Sequence, residues 1–151
     1  MLLVKTKIKE SKIHGIGLFA DQFINKGTEI WKFVPKFGLK FTKEEILNFP
    51  DFIQIYLSKY AWKSKKSGLY CFATDDGKFI NHSDNPNVLS EYRENEEEIV
   101  TIALNDIKIG EEIFDNYNSF EDFFMDEDNV LKYIGEKFNL EDELDPRVKN
   151  I

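Results

Sequence analysis

The chain of 151 residues contains a single cysteine, Cys71. One thiol cannot form an internal disulfide, and it cannot supply the groups of cysteine ligands that hold structural zinc. We therefore predict no metal site and expect the protein to function in a reducing intracellular compartment.

The sequence also lacks long apolar runs. Its first segment, Met1 to Lys9, alternates charged and apolar residues, so it does not have the continuous apolar stretch of a signal peptide or a membrane span. We expect a soluble protein that does not enter a membrane and that works in the cytoplasm or the nucleus.

Basic residues are scarce relative to acidic ones. Lys and Arg number 20, Asp and Glu number 28, and the net charge is −8. Such a field repels phosphates and attracts basic partners, which disfavours direct binding to nucleic acid. The acidic residues concentrate in Glu94 to Glu98 and in Asp126 to Asp145. These runs are either solvated surface or, for Glu96 to Glu98, the approach for a lysine-rich peptide.

Apolar and aromatic residues are plentiful by comparison. The hydrophobic fraction is 42%, and 14 residues are phenylalanine. This is enough to build the core of one globular domain. So many rings indicate either a dense core or an aromatic-lined cleft.

Several segments have the pattern of β-strands. Val4 to Lys9 alternates with a period of two, and an apolar stretch at Leu18 to Phe23 follows a glycine-containing loop, which predicts a β-hairpin. Further strands are predicted for three segments rich in β-branched or aromatic residues, namely Thr28 to Val34, Leu69 to Ala73 and Ile99 to Leu104.

Helical patterns interrupt and follow these strands. Thr42 and Glu45 have the spacing of a capping box, and apolar residues recur at helical spacing from Phe52 to Tyr60. Ser119 and Asp122 have the same capping spacing and predict a C-terminal helix, with Val130, Leu131, Ile134 and Phe138 on one face. From Glu141 onward the chain looks frayed and acidic.

Three segments carry polar groups that ordinary strands and turns do not need. They are HGIGLFA at His14 to Ala20, KFINHSDNPN at Lys78 to Asn87, and GEEIFDNY at Gly110 to Tyr117. Taken singly, each has a plain structural interpretation: a hairpin turn, a loop of Asx-turns, and an aromatic residue at a strand end.

In this order and at these separations, the three segments closely resemble the SET-domain family of protein lysine methyltransferases, over about Val4 to Tyr117. The resemblance implies a mainly β fold of the β-clip type, in which small twisted sheets surround a knot-like crossing. A short helical insert and a C-terminal helical tail complete it. We expect the SET domain at residues 1–118 and a helical segment packed on it at 119–151, without cysteine-rich flanking modules.

The resemblance also implies a function. It indicates transfer of a methyl group from S-adenosylmethionine to a lysine side chain in a basic segment of a protein, with a histone tail as one candidate. The alternative is a non-catalytic module that binds a basic peptide or S-adenosylmethionine. Both a monomer and a homodimer are compatible with the sequence.

By resemblance, two of the segments bind the cofactor. Gly15, Ile16 and Gly17 would lie at the amino-acid end of S-adenosylmethionine, where backbone N–H groups can bind a carboxylate. Asn81 and His82 would hold its polar groups and the edge of its adenine. A structural role for this pair, in fixing the crossing of loops, is an equal alternative.

The third segment places the family's catalytic tyrosine at Tyr117, which would also contact the cofactor, and Phe123 or Phe124 would pack on the adenine. The sequence departs from the family just before this tyrosine. It has Asp115 and Asn116 where the family usually has an aromatic residue and an aspartate. The number of methyl groups transferred therefore does not follow from the resemblance.

Overall fold

The computed structural model of the protein describes residues 1–140, so the acidic end predicted to fray from Glu141 lies outside the described residues. The described chain is mainly β, as expected, with short strands in four small sheets and three helices. None of these helices is long and apolar enough to cross a membrane.

The N-terminal hairpin is confirmed. Strand β1 (Thr6–Glu10) pairs antiparallel with β2 (Ile16–Ala20), and Thr6 lies opposite Ala20. The turn uses Gly15, whose φ of +49° is unfavourable for residues with a Cβ. The second strand ends at Ala20, three residues before the predicted end at Phe23.

The central sheet has the order β3-β9-β8. Its strands β3 (Glu29–Lys32) and β9 (Ile99–Ala103) fall within predicted segments, whereas β8 (Val88–Tyr92) was not predicted. The buried positions of β8 are Val88 and Ser90. Because a serine occupies an inward-facing position, the strand lacks the apolar alternation that reveals a half-buried strand.

A third sheet has the order β4-β6-β5 and consists of β4 (Gly38–Phe41), β5 (Trp62–Lys63) and β6 (Tyr70–Ala73). All four residues of β6 are buried, which explains its continuous apolar run. Strand β4 was not predicted. It begins at Gly38, where an added Cβ would lie 2.3 Å from the ring of Phe33.

The helical insert forms as predicted, with α1 (Lys43–Asn48) and α2 (Asp51–Tyr60) separated by Pro50. The capping box at α1 is confirmed. The Thr42 hydroxyl accepts the Glu45 N–H at 3.1 Å, and the Glu45 carboxylate accepts the Thr42 N–H at 2.7 Å.

The prediction that the C-terminal helix begins near Ser119 is wrong. Tyr117–Ser119 is a 3₁₀ turn, and the Ser119 hydroxyl donates to the carbonyl of Ser90 instead of capping a helix. Helix α3 (Val130–Lys137) begins only after Asn129, whose side chain accepts the Leu131 N–H at 3.0 Å. The predicted apolar face is confirmed: Val130, Leu131 and Ile134 are buried in a cluster with residues of α1 and α2, and the partly buried Phe138 packs against it.

One acid of the run Glu94 to Glu98 is not solvated surface. Glu98 is fully buried and accepts hydrogen bonds from Ser64 and Ser67, while Lys40 lies 2.8 Å from its carboxylate. It therefore fastens the third sheet to the start of β9 and is excluded from the residues that could attract a substrate.

Burial by itself would raise the pKa of the Glu98 carboxyl. The hydrogen bonds from Lys40, Ser64 and Ser67 outweigh that effect and hold the pKa below its ordinary value of 4.5. A lowered folded-state pKa stabilises the fold above pH 4.5, and this contribution is lost as the pH falls through the folded-state pKa.

We predict that Glu98→Gln lowers the free energy of unfolding by about 3 kcal/mol at pH 7, because Lys40 would lose its buried partner. Urea denaturation at pH 7 and pH 3 measures the effect, which should shrink at the lower pH. Glu97→Gln is the matched control. Glu97 lies 2.9 Å from the same Lys40 but is half exposed, so its loss should cost less than about 1 kcal/mol. Equal effects of the two variants would contradict the prediction.

Candidate functional site

Two of the three polar segments meet in a short parallel strand pair. Strand β7 (Asn81–His82) pairs with β10 (Phe114–Asp115), so that Phe114 lies opposite Asn81 and Asp115 opposite His82. The side chain of Asn87 extends this pair. It donates to the carbonyl of Glu112 and accepts the N–H of Phe114, both at 2.8 Å.

The Asn81 amide joins the glycine loop to this pair. Its nitrogen lies 3.0 Å from the carbonyl of His14, 3.1 Å from that of Ile16 and 3.1 Å from the Glu112 carboxylate. An amide has two N–H groups, so the three acceptors share them. Glu112 also lies so close to Gly17 that an added Cβ would be 2.1 Å from its Oε1. All three segments therefore converge at Asn81.

His82 and Tyr117 lie side by side. Nδ1 of the buried imidazole accepts the backbone N–H of Tyr117 at 3.2 Å, and the two ring centroids are 5.3 Å apart. Nε2 lies 3.3 Å from the carboxylate of Asp84. These partners favour the tautomer with the proton on Nε2. The Tyr117 hydroxyl donates to the carbonyl of Ile80 at 2.7 Å.

A cavity of about 90 Å³ opens beside Tyr117 and Ile80. Aromatic rings in contact with one another form much of its wall. Trp31 and Trp62 have centroids 5.9 Å apart, Trp62 and Phe120 6.1 Å, and Phe120 and Tyr117 5.8 Å. The rest of the lining is Lys59, Tyr60, Ala61, Ala73, Gly77, Lys78, Ile80, Ser90, Ile99, Thr101, Asp115 and Glu121.

Buried polar groups interrupt this apolar lining. The hydroxyls of Ser90 and Thr101 are 2.6 Å apart, and Oδ1 of Asp115 accepts the N–H groups of Ser90 at 3.3 Å and Asn116 at 2.8 Å. Asp115 is only 3% exposed. Burial raises the pKa of its carboxyl from 3.8 to about 6, although these hydrogen bonds oppose the shift.

Trp62 adds a buried donor to the lining, because its indole N–H has no hydrogen-bond partner among residues 1–140. Within the same residues, no group of three or more histidine, cysteine, aspartate or glutamate side chains could hold a metal ion. The cavity therefore has a mainly aromatic wall, with the carboxylates of Asp115 and Glu121, two lysines and hydroxyl groups also in its lining.

The structure brings most of the residues named from the sequence together. The loop Gly15 to Gly17 adjoins Asn81, and His82 adjoins Tyr117. Phe123 lies in the apolar cluster formed with the three helices, and its ring is 5.4 Å from that of the more exposed Phe124. Packing of either ring on an adenine stays a prediction.

Several lining residues were missed by sequence reasoning. Trp31, Trp62, Ser90 and Thr101 come from four different strands, and no local pattern relates them. Asp115 was recognisable in the sequence as unusual, because it stands where the resembled family usually has an aromatic residue.

The loop residues fit a ligand that approaches the backbone closely. No atom lies within 4 Å of the position that a Cβ would take at Gly15, so this part of the loop is open. The buried Asn81 amide donates to the carbonyls of His14 and Ile16, on either side of it. An open glycine backbone next to buried polar side chains suits the charged amino-acid end of S-adenosylmethionine.

Comparison with known proteins gives a family and a fold. The family model described as SET domain matches residues 15–118. No relative was found among curated protein sequences.

Among solved structures, the chain is similar to a proposed histone methyltransferase of Plasmodium falciparum, with a TM-score of 0.54 and 23% identity over 77% of this chain and 95% of that one. It is also similar to Polycomb Repressive Complex 2 of Chaetomium thermophilum bound to GSK126, with a TM-score of 0.63 and 22% identity over 88% of this chain.

A third similar structure is the same fungal complex in an autoinhibited conformation bound to S-adenosylmethionine, with a TM-score of 0.61 and 21% identity over 90% of this chain. The present chain spans only 17% of the matched chain in each of these two Polycomb structures. At such low sequence identities, the similarity to these structures shows a shared fold.

We predict that Asn81→Ala lowers the free energy of unfolding by about 1–3 kcal/mol, because the carbonyls of His14 and Ile16 lose their donor. Urea denaturation measures this. Asn85→Ala, at an exposed position of the same segment, is the control and should change stability by less than about 0.5 kcal/mol. A variant as stable as the wild type, with weakened cofactor affinity by calorimetry, would instead favour a pure binding role for Asn81.

Proposed function

The chain belongs to the SET-domain family, and from this we propose that it transfers a methyl group from S-adenosylmethionine to the side-chain amine of a lysine in another protein. The observation that carries the proposal is the aromatic cavity beside Tyr117. Next to it lies the β7–β10 strand pair, which contains Asn81 and His82 and is linked to the glycine loop by the Asn81 side chain. One similar structure is bound to S-adenosylmethionine, which supports this choice of cofactor.

The residues that would hold the cofactor are Gly15 to Gly17, Asn81 and His82, with Phe123 or Phe124 against its adenine. S-adenosylmethionine would supply the methyl group when bound. The chain's own contribution is to fix the relative positions of donor and acceptor, which accounts for much of the acceleration of a displacement reaction.

Tyr117 would position the amine. Its hydroxyl proton is directed to the carbonyl of Ile80, so toward a lysine amine in the cavity the oxygen would act as an acceptor of an N–H. The rings of Trp31, Trp62 and Phe120 exclude water from the lysine stem. Desolvation favours the neutral amine over the ammonium, whose ordinary pKa is about 10.4.

The substrate would be a basic segment of a protein. The net charge of −8 favours encounter with a lysine-rich peptide. Two similar structures are described as a proposed histone methyltransferase and as Polycomb Repressive Complex 2 with H3K27me3 and H3K27M. A histone tail is therefore the first substrate to test.

We expect the protein to transfer label from methyl-labelled S-adenosylmethionine to lysine when it is incubated with core histones or other basic proteins. Scintillation counting followed by mass spectrometry of the labelled peptides identifies the modified side chain. Binding of S-adenosylmethionine or a basic peptide without transfer would favour a non-catalytic module. Neither binding nor transfer would overturn the proposal.

We predict that Tyr117→Phe lowers kcat on the order of 10-fold or more while cofactor affinity is retained, because the amine loses its acceptor. Steady-state kinetics and calorimetry measure the two quantities. Tyr92→Phe is the control. The Tyr92 hydroxyl donates to the carbonyl of Phe120 at 2.8 Å but does not line the cavity, so its removal should affect stability and leave kcat unchanged. Wild-type turnover by Tyr117→Phe would remove the assigned role.

A further inference from the structure

Asp115 is a buried carboxylate that ordinary structural requirements do not explain. It lines the cavity, and its hydrogen bonds come from neutral groups, namely the backbone amides of Ser90 and Asn116 and the Ser90 hydroxyl. Within residues 1–140, the structure shows no salt bridge to Asp115. A buried carboxylate without a cation is costly to the fold, so a positively charged ligand would gain an unusually strong partner here.

The walls around this carboxylate suit one class of cation. Ring faces of tryptophan and tyrosine attract ammonium groups, and apolar walls pack well against an alkyl chain. Trp31, Trp62 and Tyr117 supply such rings in the same cavity. An alkylammonium satisfies both features, whereas an anion would be repelled by Asp115 and a neutral alkyl chain would leave its charge uncompensated.

We propose that Asp115 binds the ammonium group of the substrate lysine in this cavity and accepts a proton from it. The assignment of lysine as the ligand rests on the methyltransferase function proposed above. One N–H bond of the ammonium breaks and its electron pair stays on nitrogen. The proton forms an O–H bond on the Asp115 carboxylate. An ion pair thus becomes a neutral amine next to a neutral carboxylic acid, and the amine is the nucleophilic form.

Burial makes this proton transfer less unfavourable than it is in water. It raises the pKa of Asp115 to about 6, and the same desolvation lowers the pKa of an amine from its ordinary value of about 10.4. Both shifts reduce the difference between the pKa of the ammonium donor and the pKa of the carboxylate acceptor.

Other titratable groups also face this region. His82 lies opposite Asp115 in the β7–β10 pair, Tyr117 follows it in sequence, and the cavity lining includes Lys59, Lys78 and Glu121. A pH dependence is therefore assigned to Asp115 only where it disappears in a variant of that residue.

The test compares wild-type protein with Asp115→Asn, which keeps the shape of the side chain and removes its charge. The probe is n-butylamine, a lysine side chain without its backbone, and 1-butanol is the neutral counterpart. In NMR titrations at pH 8 we expect the variant to bind n-butylamine at least 10-fold more weakly and 1-butanol equally well. Glu98→Gln, which removes a buried carboxylate outside the cavity, should bind n-butylamine like the wild type.

Kinetics provide the second readout. The value of kcat/KM for wild-type protein should fall as the pH drops below about 6, where Asp115 becomes protonated. Asp115→Asn should lose this acidic limb and have kcat/KM at least 10-fold lower at pH 8. Thermal melting checks folding, and the variant should melt no lower than the wild type at pH 8 because it lacks a buried charge.

The outcomes separate this inference from the proposed function. Equal n-butylamine affinity in both proteins overturns the role of Asp115, even if methyl transfer occurs. Charge-dependent n-butylamine binding without transfer to any protein supports the amine site and overturns the methyltransferase function. Should Asp115→Asn fail to fold, wild-type protein is titrated with n-butylamine at pH 5 and pH 8. Equal affinity at the two pH values then overturns the inference.

Discussion

The hydrogen bonds of the Asn81 side chain are the constraint on which the rest of the site depends. The pair β7–β10 is only two residues long in each strand, and so short a parallel ladder is marginal without help. The Asn81 side chain stabilises this ladder by donating to the carbonyls of His14 and Ile16. Without this link, the strand pair would lose its side-chain connection to the glycine loop.

The two buried carboxylates Glu98 and Asp115 differ in how well their charge is compensated. Glu98 is fully buried, yet Lys40, Ser64 and Ser67 compensate its charge, so it stabilises two sheets. Asp115 is nearly as buried, and only backbone amides and the neighbouring Ser90 hydroxyl oppose its desolvation. The first carboxylate is therefore explained by the fold. The second destabilises the fold at neutral pH, which is the pattern expected where a residue serves a ligand.

The sequence predicted those parts of the fold that local chemistry determines. The capping box at Thr42 and Glu45 and the strand β1 each depend on neighbouring residues, and both form in the structure. Strand β8 was missed because Ser90 occupies an inward-facing position. The start of α3 was misplaced because the Ser119 hydroxyl binds the carbonyl of Ser90, a contact between residues 29 positions apart. The polar residues of the candidate site were named from the sequence. Its aromatic wall was not, since Trp31 and Trp62 lie in different sheets and meet only through tertiary packing.

The phenylalanine residues also show which features the sequence alone could not predict. Their number suggested either a dense core or an aromatic cleft, and of all 14 only Phe120 lines the cavity. Others build the apolar clusters, among them Phe33, Phe72 and Phe123. The cavity instead uses tryptophan and tyrosine, whose rings combine an apolar face with a polar atom.

Two kinds of negative charge would act on a basic substrate, at different distances. Exposed acids such as Glu94 and Glu97 attract it from solution, and at physiological ionic strength their effect is screened beyond about 8 Å. Asp115 is only 3% exposed, so its attraction would be short-ranged and less screened by salt than that of the surface acids. On the proposed function, surface charge would govern the rate at which a basic peptide binds, whereas the buried carboxylate would govern which side chain is retained. Because the two kinds of charge respond differently to salt, capture of a basic chain and recognition of its amine would be separable by varying the ionic strength.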